Sequence, residues 1–313
     1  MTGPGGRRKR RPPTTKGRAV ARTWEARILL APLVLFLLLL LGLPTALNLV
    51  YSLSDVGFET LRRPAVEGFG NYADVLGDGA FWRALSFSLR FGALTAVVEV
   101  ALGLFLAVFL APLLTARPWL LAVLTLPMMV APAMMGLMYR LVLHEFVGPL
   151  PFYLLRWFGG SPAFLAPGNV FWTVATAEVL QWTPFTLLLF HLAYAAVPAD
   201  LREAGRMDGA GGWRLFRHVE FPLLLPTFAV ALAIRFIDGV RVFDNLYVLV
   251  GSGAGGSTMS LPIYIYTSFF RGGDIGRALA ASVLFALASF LLLAGGWRLA
   301  QGRAERRSGG RPA

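Results

Sequence analysis

The residues whose chemistry could be put to use are few in this chain, and they sit in unusual places. Glu178, Gln181, Trp182 and Phe185 fall at helical spacing and share one face of a long apolar segment. Arg235, Asp238, Gly239 and Arg241 interrupt a second such segment. Charged groups in apolar helices are costly, so they face an aqueous cavity or one another. The first arrangement gives binding chemistry, with polar groups for hydroxyls and a Trp or Phe ring stacking on an apolar face. The other is an intrahelical pair between Arg235 and Asp238, three residues apart, with aromatic packing around it. Glu99 and Arg90, in a third apolar segment, receive no role.

Catalysis has little to work with. The absence of cysteine excludes disulfides, thiolate metal sites and thiol nucleophiles. His144, His191 and His218 are scattered and have no partner at i,i+4, so no metal site is expected. Gly251-Ser-Gly253-Ala-Gly-Gly256 fits G-x-G-x-x-G, but it follows an apolar helix where a dinucleotide site needs a strand. The lysines are Lys9 and Lys16, and neither belongs to a phosphate-binding loop, so this polypeptide does not hydrolyse ATP through one. No catalytic residue and no cofactor bound by this chain are assigned. An intramembrane enzyme stands only as a distant alternative.

The elements that must hold these residues are membrane helices. Hydrophobic residues make up 56% of the chain and charged ones 15%, against about a quarter charged in a soluble domain. Mean hydropathy is +0.63. A helix of about 20 apolar residues crosses the hydrocarbon core. Six segments meet that length: 28–52, 84–113, 119–143, 171–197, 222–250 and 277–300. The fold class is therefore all-α, a polytopic membrane protein of six transmembrane helices over 28–300. The first segment is too long for a signal-peptide core and no small-residue cleavage site follows it, so it reads as a retained span. Nineteen of the 29 Lys and Arg fall in the tail 1–27, at Arg117, in the loop 198–222 and from Arg298 onward, against seven on the opposite side. The positive-inside rule then places both termini and that loop in the cytoplasm. The net charge of +12 reads as membrane anchoring, not as nucleic-acid binding. The tail 1–27 is basic and predicted to be disordered and solvated, and 301–313 is a second basic tail.

The loop 198–222 is polar, Arg- and Gly-rich, and unsuited to lipid. Asp200 and Glu203 have the spacing of a capping box at the start of a helix. Gly209, Gly211 and Gly212 break that helix, and Pro222 opens the next span where no amide partner is needed. A charged helical element between spans stands in water or against another protein.

The pattern Glu203-Ala204-Gly205-x-x-Asp208-Gly209-Ala210-x5-Phe216-x5-Pro222 resembles the EAA motif of permease subunits of binding-protein-dependent ABC importers. Gly70-Asn71-Tyr72, Thr183-Pro184-Phe185, Phe243-Asp244-Asn245-Leu-Tyr247-Val-Leu249 and Ser257-Thr258 are similar to passages of the carbohydrate branch, the maltose- and glycerol-3-phosphate-type permeases. The resemblance covers about 28–300. It implies a type I ABC importer permease in a bacterial or archaeal plasma membrane. Its implied partners are a second permease, favoured as a paralogue, a cytoplasmic ATPase dimer that carries ATP and Mg, and an extracytoplasmic substrate-binding protein. It also implies that the loop docks on the ATPase, with Glu203 pairing to a basic residue there. It further places substrate-lining residues in the two spans that hold Glu178, Gln181, Trp182, Phe185, Arg235, Asp238 and Gly239. Gly205 departs from the usual Ala and is expected to soften the helix by about 1 kcal/mol. A non-sugar cargo such as a polyamine or phosphate is the first rival reading. An ion-coupled secondary transporter is the second, and the paired repeats with discontinuous helices expected of it are not seen in the sequence.

Overall fold

The computed structural model describes residues 27–252 and 258–308. Most of the tail 1–27, residues 253–257 of the glycine-rich loop (including Ser257), and the end of the tail 301–313 lie outside the described residues.

The chain divides into two units between Tyr51 and Ser52. The first is built around α1 (Arg27–Ser52), a long apolar helix with a π-helical turn at Leu38–Gly42. The second opens with a short antiparallel pair, β1 (Ser54–Asp55) and β2 (Ala65–Val66). Helices α2 (Gly70–Gly77), α3 (Gly79–Phe109), α4 (Ala111–Ala116), α5 (Trp119–Met129) and α6 (Pro132–Val142) follow. Next come α7 (Pro149–Phe158), α8 (Val170–Ala195), α9 (Ala199–Met207) and α10 (Gly212–Leu215). A π-helical turn at Phe216–Glu220 leads into α11 (Phe221–Val240), then α12 (Asp244–Val250), α13 (Leu261–Phe270) and α14 (Ile275–Ser308). Four helices among the described residues are long and apolar enough to cross a membrane, or up to six if each bent pair is one span.

The second unit is centred on α3, which packs against α8 and α11. Without a hydrophobic force between helices in lipid, close backbone approach and packing hold such bundles together, and small residues allow it. Gly239 of α11 meets Gly92 of α3 so closely that a Cβ on Gly239 would lie 2.8 Å from Gly92 Cα. Gly103 admits Thr186 in the same way, and the Thr186 hydroxyl donates to the Glu99 carbonyl at 2.7 Å. The Gly70-Asn71-Tyr72 passage is a staple. Asn71 Nδ2 donates to the Ser52 and Ser54 carbonyls at 3.2 and 2.9 Å, and the Tyr72 and Ser52 hydroxyls bond at 2.7 Å.

Three features differ from the sequence expectation. Helix α3 starts at Gly79, ahead of the apolar segment 84–113, because Asp78 caps it and accepts from the Ala80 amide at 2.7 Å. Asp78 also accepts from the Tyr264 hydroxyl at 2.8 Å and from Arg277 Nη2 at 2.6 Å, tying α3 to α13 and α14. Burial alone would raise the Asp78 carboxyl, but the Ala80 amide, Tyr264 and Arg277 outweigh it and hold it below the usual carboxylate range. A carboxylate held low contributes its stability above the unfolded value of about 3.9 and loses it as pH falls through the lower folded value. Acidification from about pH 7 to about pH 5 is therefore expected to leave this tie intact, whereas Asp78→Asn lowers the melting midpoint of the purified protein at both pH values.

The second difference is that two apolar segments are discontinuous. α5 and α6 meet at an 85° bend around Val130 and Ala131, between Pro127 and Pro132. α11 stops at Val240, and residues 241–243 are non-helical before α12. Third, the loop 198–222 has the helix, turn and second short helix expected of it, but no break precedes the span expected to open at Pro222. Its second half, α10 and the π-helical turn, runs directly into α11, and α14 extends to Ser308, into the tail expected at 301–313.

Candidate functional site

Both helix breaks free backbone carbonyls, which in a membrane must find partners inside the protein. Gln181 Nε2 donates to the Val130 carbonyl at 2.9 Å, and the Ser260 hydroxyl donates to the Val242 carbonyl at 2.8 Å. The broken segments also touch. Gly136 of α6 lies under Asn245 of α12, whose carbonyl oxygen would be 2.6 Å from a Cβ there. Gln181 is thus placed as the support of a broken helix. Gln181→Leu leaves the Val130 carbonyl without its partner and is expected to cost about 1–3 kcal/mol, read as a lower thermal midpoint.

Beside the breaks lies Arg235, fully buried in α11. Its Nε donates to Glu99 Oε2 at 2.5 Å, its Nη1 to Asp238 Oδ2 at 3.2 Å, and its Nη2 to Glu178 Oε1 at 3.4 Å. The guanidinium also stands 4.7 Å from the centroid of the Trp182 ring, a cation–π contact. Glu178 accepts a second bond, from Asn245 Nδ2. One guanidinium therefore joins α3, α8 and α11, and Glu178 carries the connection across the break to α12. The expected pairing of Arg235 with Asp238 is present, as one part of a larger network.

A cavity of about 270 Å³ opens over this network. Glu178, Trp182 and Asp238 line it, joined by Arg241, Phe243, Asp244 and Asn245 from the break and by Pro132 at the start of α6. The other residues expected on the pathway are placed differently. Arg235 lies beneath the cavity, Gln181 props the α5–α6 break, and Gly239 serves the crossing with α3. Phe185 is half-buried in α8 and does not line the cavity. Arg90 donates to the Ser86 carbonyl at 3.2 Å within its own helix. Sequence reasoning gave no role to Glu99, whose signal was a lone carboxylate in an apolar span, and it singled out Arg241 and the passage Phe243-Asp244-Asn245 without placing them on the pathway. Among the described residues, no group of three or more acidic or histidine side chains is arranged to hold a metal.

The second part of the candidate site is the α9 loop. The capping box is not formed: Pro198 is the N-cap, and no side chain bonds the first turn. Helix α9 starts at Ala199, which puts Asp200 inside the first turn, where it still suits the positive helix end. The other end follows the residues closely. Gly209 has φ +77°, its amide donates to the Arg206 carbonyl, and the Ala210 amide donates to the Gly205 carbonyl, both at 3.0 Å. This is a Schellman C-cap, which explains why the motif needs glycine there. Gly209→Val forces a β-branched residue into the left-handed region and is expected to destabilise the loop by about 1–2 kcal/mol, read by proteolysis at 198–222. Gly205 seats α9 on Leu215, whose Cδ1 would be 2.6 Å from a Cβ. An Ala there is accommodated if that side chain shifts. Glu203, Ala204 and Asp208 are exposed, Ala210 and Phe216 half-buried, and the Phe216 ring packs between Trp213 and Phe221.

Comparison with known proteins agrees with this architecture. Residues 94–303 match the family of binding-protein-dependent transport system inner membrane components. The chain is 31% identical over 284 residues to a probable ABC transporter permease protein, y4oQ, of Sinorhizobium fredii, covering 88% of this chain and 90% of that one. It is 34% identical over 260 residues to the trehalose/maltose transport system permease protein MalF of Thermococcus litoralis, covering 82% and 87%. In fold it is similar to a chain of a bacterial alginate ABC transporter solved with an alginate pentasaccharide-bound periplasmic protein. That match has a TM-score of 0.77 at 19% identity and covers 89% of this chain and 94% of the other. The chain thus belongs to the binding-protein-dependent transport family and is the multi-pass inner-membrane permease of an ABC importer, not an enzyme.

Proposed function

We propose that this permease supplies half of a translocation pathway for a carbohydrate or related polyol, handed over by an extracytoplasmic binding protein. The observation that carries this reading is the cavity at the α11–α12 break. It sets two aromatic rings, Trp182 and Phe243, beside Glu178, Asp238, Asp244, Asn245 and Arg241. Carboxylates, an amide and a guanidinium bond hydroxyls, and the rings stack on the apolar face of a pyranose. The trehalose/maltose system of the Thermococcus relative supports the same class of cargo. The acidic lining outnumbers Arg241 among the cavity's charges, which favours a polyamine as the second reading and disfavours phosphate.

The rest of the machine is on other chains. A second permease, a paralogue, completes the pathway, and the exposed face of α9 docks on an ATPase dimer that binds ATP and Mg. Both termini and residues 198–222 face the cytoplasm. The test is uptake of radiolabelled trehalose and maltose, with spermidine as competitor, by cells carrying Asp238→Asn or Gln181→Leu. Asp238→Asn is expected to raise the apparent KM about tenfold at unchanged permease level, while Gln181→Leu lowers permease level at unchanged KM. Uptake of radiolabelled spermidine by the unsubstituted permease, with no uptake of either sugar, shifts the assignment to the polyamine reading.

A further inference from the structure

Arg202 immediately precedes the exposed Glu203, yet it points the other way. Its Nε donates to Glu220 Oε1 at 2.8 Å, and its Nη2 donates to the Tyr194 carbonyl at 2.8 Å. The guanidinium lies 4.3 Å from the centroid of the Tyr194 ring, and the Tyr194 hydroxyl donates to the same Glu220 Oε1 at 2.9 Å. The Glu220 side chain is 5% exposed and that of Arg202 22%. Four contacts therefore bring together α9, the last turn of α8 and the π-helical turn that enters α11.

We infer that Arg202 is a positioning residue which makes α9, α8 and α11 one rigid lever. The inference rests on the reading of α9 as the ATPase-docking helix. Helix α9 has two faces. Glu203, Ala204 and Met207 look outward, while Arg202 and Gly205 look inward. Gly205 contributes an apolar seat on Leu215, and an apolar seat resists separation but not sliding. Directional, charge-assisted bonds fix both distance and orientation. The Arg202 joint thus transmits a displacement of the outer face to α8 and α11, the two helices that carry Glu178, Trp182 and Asp238 into the cavity. Coupling between distant sites needs such an element with two biased positions.

The chain has no cysteine, which gives a direct readout. Phe243→Cys places a single thiol on the cavity wall. Its labelling by a charged, water-soluble maleimide is measured with and without ATP, in the complex with its partner permease and an ATPase blocked in hydrolysis. With Arg202 intact, ATP is expected to change the labelling rate at least fivefold. With Arg202→Met the change falls below twofold while the same amount of ATPase co-purifies, Arg202→Lys restores part of it, and Glu220→Gln gives an intermediate value. A full ATP response in both Arg202→Met and Glu220→Gln overturns the inference. Loss of the ATPase from Arg202→Met also overturns it, since Arg202 would then act in docking. No ATP response with Arg202 intact, or no ATPase in that complex, overturns the docking reading itself.

Discussion

Arg235→Met is expected to leave almost no folded permease in the membrane. Arg235 is fully buried and is bonded to Glu99, Glu178 and Asp238, with Trp182 against its guanidinium. Methionine fills most of the same volume, so the change is chiefly electrostatic. It strands Glu99 and Glu178 in the bundle interior without a cation. Removing one partner of a buried ion pair costs about 3–5 kcal/mol, out of a typical total stability of about 5–15. Fluorescence-detected size-exclusion of the tagged permease should show loss of the monodisperse peak. Arg235→Lys keeps the charge but replaces a planar fork by a single ammonium, which cannot reach three carboxylates in the same geometry. It should give a peak of intermediate height with a lowered thermal midpoint. A normal peak and midpoint for Arg235→Met would show that the network contributes nothing.

Glu203→Lys should act in the opposite way, abolishing uptake while the permease stays folded. Glu203 is exposed on the outer face of α9, and none of the described residues bonds its side chain. Nothing within this chain therefore suffers from the change. In a docked complex a lysine would face the basic partner that the carboxylate is proposed to meet. Truncating one side of a close charge pair costs about 2–5 kcal/mol or more, and reversal adds like-charge repulsion. At about 1.4 kcal/mol per tenfold, at least about 30-fold weaker docking follows. Uptake at normal rate with an unchanged permease level would remove Glu203 from the docking site.

The two variants mark the boundary between what the sequence discloses and what it hides. Features set by local residue types were legible: the apolar spans, the polar loop 198–222 and the helix-ending Gly209; of the one-face set Glu178, Gln181, Trp182 and Phe185, only Glu178 and Trp182 line the cavity. Features set by long-range contact were not. Glu99 looked like an unplaceable charge because its partner Arg235 is 136 residues away. The α5–α6 bend escaped notice because Val130 and Ala131 are as apolar as the helices they separate, and hydropathy does not register a missing hydrogen bond. Pro127 and Pro132 were the available sign. Gln181 was only half legible for the same reason. Its place on the Glu178 face could be read from spacing, but its bond to the Val130 carbonyl freed by that bend could not. The capping box failed on register alone, since Pro198 starts the helix too early for Asp200 to cap it.

The central claim, that this permease works with a docked ATPase and a second permease, is tested most directly by affinity purification of the tagged chain from membranes in mild detergent. The composition of the complex is then measured by quantitative mass spectrometry. The expected result is one second permease and two ATPase subunits per tagged chain, with the ATPase lost from Glu203→Lys but retained by Asp238→Asn. A folded chain that purifies without an ATPase, or that keeps it equally well in Glu203→Lys, would contradict the account.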